Sequence, residues 1–263
     1  MSQTKLRISL WDEPLLRAFA RALEGPETEV TVTDRRQSEK RLLAGLADVA
    51  LVPADRAIAA ADDFQILPAV AFGAWNTPRA TISLRKGFEG RPEQIYCTDP
   101  DALEALVSRV VLREHYGISV SPSPLEGPAS RASADAVLAV EEAPPTVGGL
   151  LLDLGQEWYE LTNYPMIWGL FVVRAGEADA NVVRLLRDAA AAVESADDLD
   201  GTDPGDDGMA LPRFRFDDIA TASLTELCGF LYYYGVTSDI EEVRTARLPD
   251  DADIGFDGRE PLL

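Results

Sequence analysis

Lysine is scarce in this chain of 263 residues: only three of its 24 Lys and Arg residues are lysines, Lys5, Lys40 and Lys86. The 45 acidic residues give a formal net charge of −21. Nucleic acids and anionic membranes require a basic surface, so this charge balance argues against both as partners. An acidic surface that is poor in lysine suits a cytoplasm of high ionic strength, where salt screens the repulsion between carboxylates. We therefore expect a salt-adapted protein; the alternative is an ordinary acidic cytosolic protein.

Cysteine, histidine and long apolar runs are also scarce. Cys97 and Cys228 lie far apart in apolar surroundings, which predicts buried structural thiols. His115 is the only histidine, and no Cys/His cluster has the spacing of metal ligands, so we predict no metal site. No apolar run approaches the roughly 20 residues of a membrane-spanning helix, and the N-terminus lacks the apolar segment of a secretory signal. We therefore expect a cytoplasmic protein without membrane spans.

Short strand-like segments alternate with amphipathic helices along the chain. Residues 5–10 and 28–33 alternate in polarity, as strands with one buried face do, and helical apolar stripes follow each of them. The apolar run at 166–173 is typical of a strand that is buried on both faces, as in a parallel sheet. Strands that alternate with helices predict an α/β fold with mainly parallel central sheets. In such folds, ligands bind at the carboxyl ends of the strands.

Short polar residues and glycines mark the expected helix ends. Asp12 and Ser38 are suited to cap the first two helices, and Thr98 or Asp99 to cap a long helix that follows the strand at 94–97. Gly117 and Gly235 are expected to end two helices, because glycine readily adopts the left-handed conformation found there.

Residues 153–174, DLGQEWYELTNYPMIWGLFVVR, contain the most distinctive motif of the chain. The order D-L-G-x-E-W-x-x-x-T-x-x-P, followed by an apolar strand that ends in V-R, resembles the chorismate dehydratase family of the futalosine route to menaquinone. The resemblance implies a two-lobed type-2 periplasmic-binding-protein-like fold, located in the cytoplasm, with a hinge of two crossover strands. It places lobe I at residues 1–87 and 167–263 and lobe II at 88–166, with crossings near 83–89 and 164–170.

The resemblance also implies a cleft between the lobes, and its first two segments contain the expected catalytic positions. Trp11 and Asp12 follow the first strand, and Asp12 lies where the family has a functional asparagine. An ionised carboxylate accepts hydrogen bonds but does not donate them, so Asp12 would repel a dianion; the alternative is that it is only a helix cap. In the second segment the family has a serine, which corresponds here to Ala80 or Thr81, next to the cation Arg79. The alternative for this segment is a plain surface strand.

The other two segments contain further substrate-binding candidates. Thr98 and Asp99 precede the long helix, whose N-terminal N–H groups suit a substrate carboxylate. Asp99 would compete for those N–H groups, and ordinary helix capping is the alternative. Glu141 and Glu142 stand where the family has a Gly-Asp pair. Asn163 belongs to the motif in 153–174 and completes the set.

The sequence is compatible with two functions. The resemblance implies a hydro-lyase that converts chorismate to 3-[(1-carboxyvinyl)oxy]benzoate without a metal or organic cofactor. The alternative is a non-catalytic cytoplasmic protein of the same fold that binds a small molecule. In both cases we expect a small-molecule ligand in the interlobe cleft and a monomer or homodimer. The two functions predict different clefts. Cations such as Arg79 or Arg131 that converge on the cleft favour the hydro-lyase, because chorismate carries two carboxylates.

Overall fold

The computed structural model describes residues 5–74, 80–85, 91–127, 134–140, 149–199 and 212–248. The strands in these ranges are β1 (Leu6–Trp11), β2 (Thr28–Thr33), β3 (Val49–Pro53), β4 (Phe64–Ala74), β5 (Ala80–Leu84), β6 (Gln94–Cys97), β7 (Ser121–Pro124), β8 (Ala136–Val140), β9 (Leu150–Asp153) and β10 (Met166–Arg174). The helices are a 3-10 turn (Pro14–Leu16), α1 (Arg17–Leu23), α2 (Arg35–Leu43), α3 (Ala54–Ala59), α4 (Leu103–Glu114), α5 (Leu154–Thr162), α6 (Ala180–Leu199) and α7 (Asp218–Tyr233).

The first sheet has the strand order β2-β1-β3-β10-β4. β1 pairs in parallel with β2 and β3, whereas β10 is antiparallel to its neighbours β3 and β4. Four strands therefore share one direction, as the expected mainly parallel sheet requires. β3 and β10 are apolar along almost their whole length and are buried because helices pack over the sheet.

The second sheet repeats this plan with the order β7-β6-β8-β5-β9. β6 pairs in parallel with β7 and β8, and β5 is antiparallel to β8 and β9. α4 and α5 pack against each other beside this sheet. We call the first sheet with its helices lobe I and the second sheet with its helices lobe II.

The chain passes between the sheets twice, and the antiparallel strand of each sheet is the first strand after a passage. The first passage lies between Ala74 and Ala80, because β5 pairs only with strands of the second sheet. It is therefore earlier than the expected crossing at 83–89, and residues 80–84 belong with lobe II. The second passage lies between Asp153, at the end of β9, and Met166, at the start of β10. The other lobe boundaries stay predictions.

Some helix ends agree with the expected caps and others differ. Gly117 and Gly235 have φ angles of 64° and 74° and follow the ends of α4 and α7, as predicted. The expected cap of α2 is wrong: Asp34 caps this helix, and its Oδ1 accepts a hydrogen bond from the Gln37 N–H at 2.8 Å. Ser38 is buried instead, and its hydroxyl donates to a backbone carbonyl of β1 at 3.2 Å.

An aromatic cluster forms part of the core of lobe I. The rings of Phe19 and Phe214 stack at 4.9 Å between centroids, and Phe19 also contacts Phe171 at 5.6 Å. Phe72 also stacks on Phe214, at 5.9 Å between centroids. The cluster therefore joins α1, β4, β10 and the segment before α7, which links the last described segment of the chain to the first sheet.

α7 also contacts lobe II. The Trp158 indole N–H of α5 donates to the Ser223 hydroxyl at 3.3 Å, and that hydroxyl donates to the Pro165 carbonyl at 2.7 Å. At the end of α7, the Tyr234 hydroxyl lies 3.2 Å from Oε1 of Glu114, the last residue of α4. Both lobes are therefore attached to α7 on the side where the second passage lies.

Candidate functional site

The carboxyl ends of three neighbouring strands of lobe I bring charged side chains together. Glu13 follows β1, Arg35 opens the helix after β2, and Asp55 lies in the first turn of the helix after β3. Glu13 and Asp55 are buried, with 1 % and 7 % of their surface exposed. Because β1, β2 and β3 are parallel, these ends meet at one edge of the sheet, which is where ligands bind in open α/β sheets.

Lobe II faces this edge with the first turn of α4. Glu104, which is 1 % exposed, accepts a hydrogen bond at Oε1 from Arg35 Nη1 at 2.5 Å. Arg35 Nη2 also lies 3.8 Å from Glu13 Oε2 of its own lobe. A second pair between the lobes joins Arg36 Nη2 to Asp99 Oδ1 at 2.5 Å. Two arginines of α2 therefore reach across the cleft to lobe II.

Trp11 forms the aromatic floor of this site. The Arg35 guanidinium carbon lies 4.9 Å from the centre of the indole ring, a cation–π arrangement. The indole N–H donates to the Leu51 carbonyl at 2.8 Å, which fixes the ring. The ring also packs against Gly169 of β10, where an added Cβ would stand only 2.5 Å from Trp11 Cη2. The ring can take this position only because residue 169 has no side chain.

The site holds more negative than positive charge among the described side chains. Glu13, Asp55 and Glu104 are buried beside one guanidinium, that of Arg35. The pKa of the Asp55 carboxyl is raised from its ordinary 3.8 to about 6, mainly by burial and also by the charge of Glu104, whereas backbone N–H groups and Arg56 act in the opposite direction. Oδ1 of Asp55 is buried and has no hydrogen-bond partner among the described residues.

The structure brings Trp11 into this site, whereas Asp12 is exposed beside it. The backbone N–H of Asp12 donates to the Thr33 carbonyl at 2.8 Å. Asp12 does not cap a helix: the 3-10 turn begins at Pro14, its N-cap is Glu13, and no side chain caps it. The buried carboxylate after β1 is therefore Glu13, one position further along the chain.

Ala80 and Thr81 lie in β5 and are buried, so this segment is not a surface strand. They stand opposite Val140 and Ala139 of β8, and Thr81 also faces Asp153, the residue that caps α5. Of the neighbouring candidates, Arg79, Glu141 and Glu142 lie outside the described residues.

Thr98 and Asp99 precede α4, but neither is its N-cap, which is Ala102. Thr98 is exposed, and Asp99 forms the interlobe pair with Arg36 and accepts from the Asp101 N–H at 3.2 Å. The helix starts later than expected because this turn precedes it. Asn163 is exposed and ends α5 with a φ of 64°, a left-handed conformation that asparagine tolerates better than most residues.

Sequence reasoning missed four members of the site: Glu13, Arg35, Asp55 and Glu104. The first three each stand two positions after the last residue of a parallel strand, and because those ends meet at one edge, the strand ends indicated this region but not the individual residues. Glu104 is 69 residues away from Arg35 in sequence, so only the fold joins them.

One group of the described residues brings three potential metal ligands together, in lobe II. Atoms of His115, Glu157 and Glu160 lie within 4.8 Å of one another. Glu157 Oε2 already accepts a hydrogen bond from the Tyr116 hydroxyl at 2.7 Å and lies 3.3 Å from His115 Nδ1. These contacts join the end of α4 to α5 and account for the arrangement without a metal.

A surface pocket of about 510 Å³ lies outside the cleft, between α3 and the segment after α7. Four acidic residues and one arginine line it: Asp62, Asp239, Glu241, Glu242 and Arg244. Among the described helices, none combines the length and apolar character needed to cross a membrane.

Solved structures share this architecture. Protein AF1704 from Archaeoglobus fulgidus matches with a TM-score of 0.63 at 17 % identity, over 90 % of this chain and 100 % of that chain. The periplasmic aliphatic sulphonate binding protein SsuA from Escherichia coli matches with a TM-score of 0.61 at 11 % identity, over 94 % and 93 %. The alkanesulfonate-binding protein SsuA from Xanthomonas axonopodis pv. citri, bound to MOPS, matches with a TM-score of 0.59 at 17 % identity, over 91 % and 96 %. The fold is thus the two-lobed type-2 periplasmic-binding-protein fold.

The family follows from the sequence. The model of a menaquinone biosynthesis family matches residues 10–199, which is most of the chain. The protein therefore belongs to the menaquinone biosynthesis family, in agreement with the resemblance of residues 153–174 to chorismate dehydratases. No curated protein sequence matches the chain significantly.

Proposed function

We propose that this protein is a hydro-lyase of menaquinone biosynthesis that converts chorismate to 3-[(1-carboxyvinyl)oxy]benzoate and water in the cytoplasm. The observation that carries the proposal is the place of Arg35. Its guanidinium lies over the Trp11 ring at the carboxyl ends of three parallel strands, between the two lobes. A cation over an aromatic face, in the position where this fold binds ligands, suits an anionic cyclic substrate.

Arg35 and Trp11 have complementary tasks in this proposal. The planar guanidinium can form two parallel hydrogen bonds with one substrate carboxylate, which fixes its orientation. The indole, which is 2 % exposed, holds the guanidinium in place through the cation–π contact. In the closed structure Glu104 holds the guanidinium, so a substrate carboxylate has to replace the Glu104 carboxylate. Closure of the lobes around the bound substrate then excludes water from the reacting ring.

The first test is a direct assay of purified protein with chorismate, at low salt and in multimolar KCl, with the product followed by liquid chromatography. Turnover supports the proposal, and we expect it to be greater in high salt because the chain carries a net charge of −21. We expect Thr81→Ala to lower turnover if the Thr81 hydroxyl takes the role of the family serine. Absence of product in either salt contradicts the proposal.

Arg35→Lys tests the role of the guanidinium with little risk to folding, because the positive charge between Glu13 and Glu104 is kept. Loss of the two-pronged contact should cost about 1.5–3 kcal/mol of binding, or roughly 10- to 150-fold in kcat/KM. The matched control is Arg184→Lys on the exposed face of α6, for which kcat/KM should stay unchanged. Equal values of kcat/KM for the two variants would contradict the role of Arg35.

The second candidate function is a non-catalytic protein that binds a small molecule. It is favoured by the burial of three carboxylates at this site, those of Glu13, Asp55 and Glu104, because buried negative charge suits a cation better than a dianion. Thermal shift distinguishes the two functions. A melting temperature raised by agmatine, a guanidinium compound, but not by chorismate, together with no turnover, would establish the second function and exclude the first.

A further inference from the structure

We propose that Asp55 is a catalytic residue of the proposed elimination: its carboxylate takes the ring proton of the substrate and returns it to the departing hydroxyl. This inference rests on the proposed function and adds to it the group that moves the proton. It is derived from the position, burial and hydrogen bonding of Asp55.

Asp55 stands where a reacting group is needed. It lies in the first turn of α3, directly after β3, and β3 pairs with β1, whose last residue is Trp11. The carboxyl is close enough to Glu104, on the facing lobe, for the two charges to interact. Glu104 in turn holds Arg35. Asp55 therefore belongs to the same interlobe site as the aromatic floor and the guanidinium.

The two other buried carboxylates of the site already have a task. Glu13 and Glu104 both pair with Arg35, at 3.8 and 2.5 Å. By contrast, no ion pair to Asp55 occurs within the described ranges, and its Oδ1 is buried without a hydrogen-bond partner there. Buried polar atoms in native proteins are almost always hydrogen-bonded, so an exception at a ligand site points to a partner that arrives with the ligand.

The acid strength of Asp55 supports this role. Its pKa of about 6, raised mainly by burial and also by Glu104, leaves the carboxyl ionised at neutral pH but makes it more basic than an ordinary aspartate. Arg56 on the same helix and the backbone N–H groups there act in the opposite direction. A general base is most effective when its pKa is close to the working pH.

The step is balanced with one carboxyl group. The Asp55 carboxylate removes the proton from the ring carbon that bears the enolpyruvyl ether. The electron pair of that C–H bond becomes the new ring double bond, and the adjacent C–O bond breaks. The departing hydroxyl leaves as water after it takes the proton back from the Asp55 carboxyl. In chorismate this proton and this hydroxyl lie on the same face of the ring, so one carboxyl can reach both.

The test compares Asp55→Asn with wild type and with Asp63→Asn, which makes the same change at an exposed site just after α3. Each protein is assayed with chorismate, and its melting temperature is recorded. We expect Asp55→Asn to lower kcat by about 100- to 10,000-fold, the usual range for loss of a general base, with KM within threefold of wild type. Asp63→Asn should keep kcat within twofold. A merely structural role would lower stability and leave kcat of the folded protein intact.

The outcomes separate the two proposals. Wild-type turnover with a kcat of Asp55→Asn within threefold of it overturns the role of Asp55 and leaves the proposed function. No turnover by wild type overturns both. If Asp55→Asn melts more than about 10 °C below wild type, the turnover assay is carried out instead with Asp55→Ala and added formate. Rescue of turnover by this small carboxylate then supports the role, and failure to rescue overturns it.

Discussion

Replacing Asp55 by Asn should stabilise the protein at neutral pH and have no effect at acid pH. The pKa of about 6 in the folded protein exceeds the ordinary 3.8, so the folded state favours the protonated carboxyl. The contribution of Asp55 to stability is therefore fully present below pH 3.8 and is lost as the pH rises through 6. A difference of about two pKa units at 1.36 kcal/mol each amounts to about 3 kcal/mol at pH 8. Asn has nearly the same shape as Asp and carries no charge, so it removes this penalty.

The assay is urea denaturation of wild type and Asp55→Asn between pH 4 and pH 8 at constant salt. Subtraction of the two free energies of unfolding cancels the titration of the other carboxylates. We expect Asp55→Asn to be more stable by about 3 kcal/mol at pH 8, which is a rise of roughly 6–12 °C in melting temperature for a chain of this size. The gap should close toward pH 4. A difference that does not change with pH, or an Asn variant that is less stable at pH 8, would refute the reasoning. Asp63→Asn serves as the control.

Three further predictions concern the core, the thiols and the surface charge. Gly169→Ala should lower the free energy of unfolding in urea by about 1–3 kcal/mol, because its Cβ would clash with Trp11. The control Gly229→Ala has open space around it in α7 and should raise the free energy of unfolding by up to about 1 kcal/mol. Equal effects of the two substitutions would contradict the packing of Trp11. The pKa values of Cys97 and Cys228 are raised to about 11, mainly by burial. Both thiols should therefore resist a thiol reagent at pH 8 in the native protein and react after unfolding. Rapid labelling of the native protein would contradict the burial of the thiols. The melting temperature should rise from low salt to multimolar KCl because salt screens a net charge of −21, and a constant or falling value would argue against salt adaptation.

Strands with a clear pattern were predictable from the sequence, and those without one were not. The apolar runs at 48–53 and 166–173 correspond to β3 and β10, because a strand buried on both faces must be apolar throughout. The strand at Ser121–Pro124 has no such pattern. That segment reads Ser-Pro-Ser-Pro and has no periodicity; it is extended because it pairs with β6 at the edge of the second sheet, where proline is tolerated.

The start of α7 was also not predictable from apolar periodicity. The α7 helix begins at Asp218, before its most apolar part, and the Asp217 carboxylate accepts a hydrogen bond there from the Ala220 N–H at 3.0 Å. The first two turns contain small and polar residues that give little apolar stripe. Their helical state depends on the cap and on tertiary packing, which periodicity does not report.

The site was less predictable than the fold for physical reasons. Acidic residues after strands are common helix caps, so local sequence could not separate exposed Asp12 from buried Glu13 and Asp55. Only the three-dimensional structure gives their burial. The pair between Arg35 and Glu104 joins two lobes through contacts that no local spacing encodes. Trp11 was predictable because it stands at the carboxyl end of the first strand, at the edge where ligands bind in this type of fold.

The unequal attachments of the two lobes determine how the cleft can open. On one side α7 is held to both lobes by the Trp158–Ser223–Pro165 hydrogen bonds, in a buried and uncharged setting that salt affects little. On the other side the lobes are joined by ion pairs of Arg35 and Arg36, and the Arg36 pair is partly exposed. Salt weakens the exposed pair much more than the buried contacts. We therefore expect concentrated salt to loosen the charged side of the interlobe contact while the α7 side stays in place, so that the cleft opens about α7.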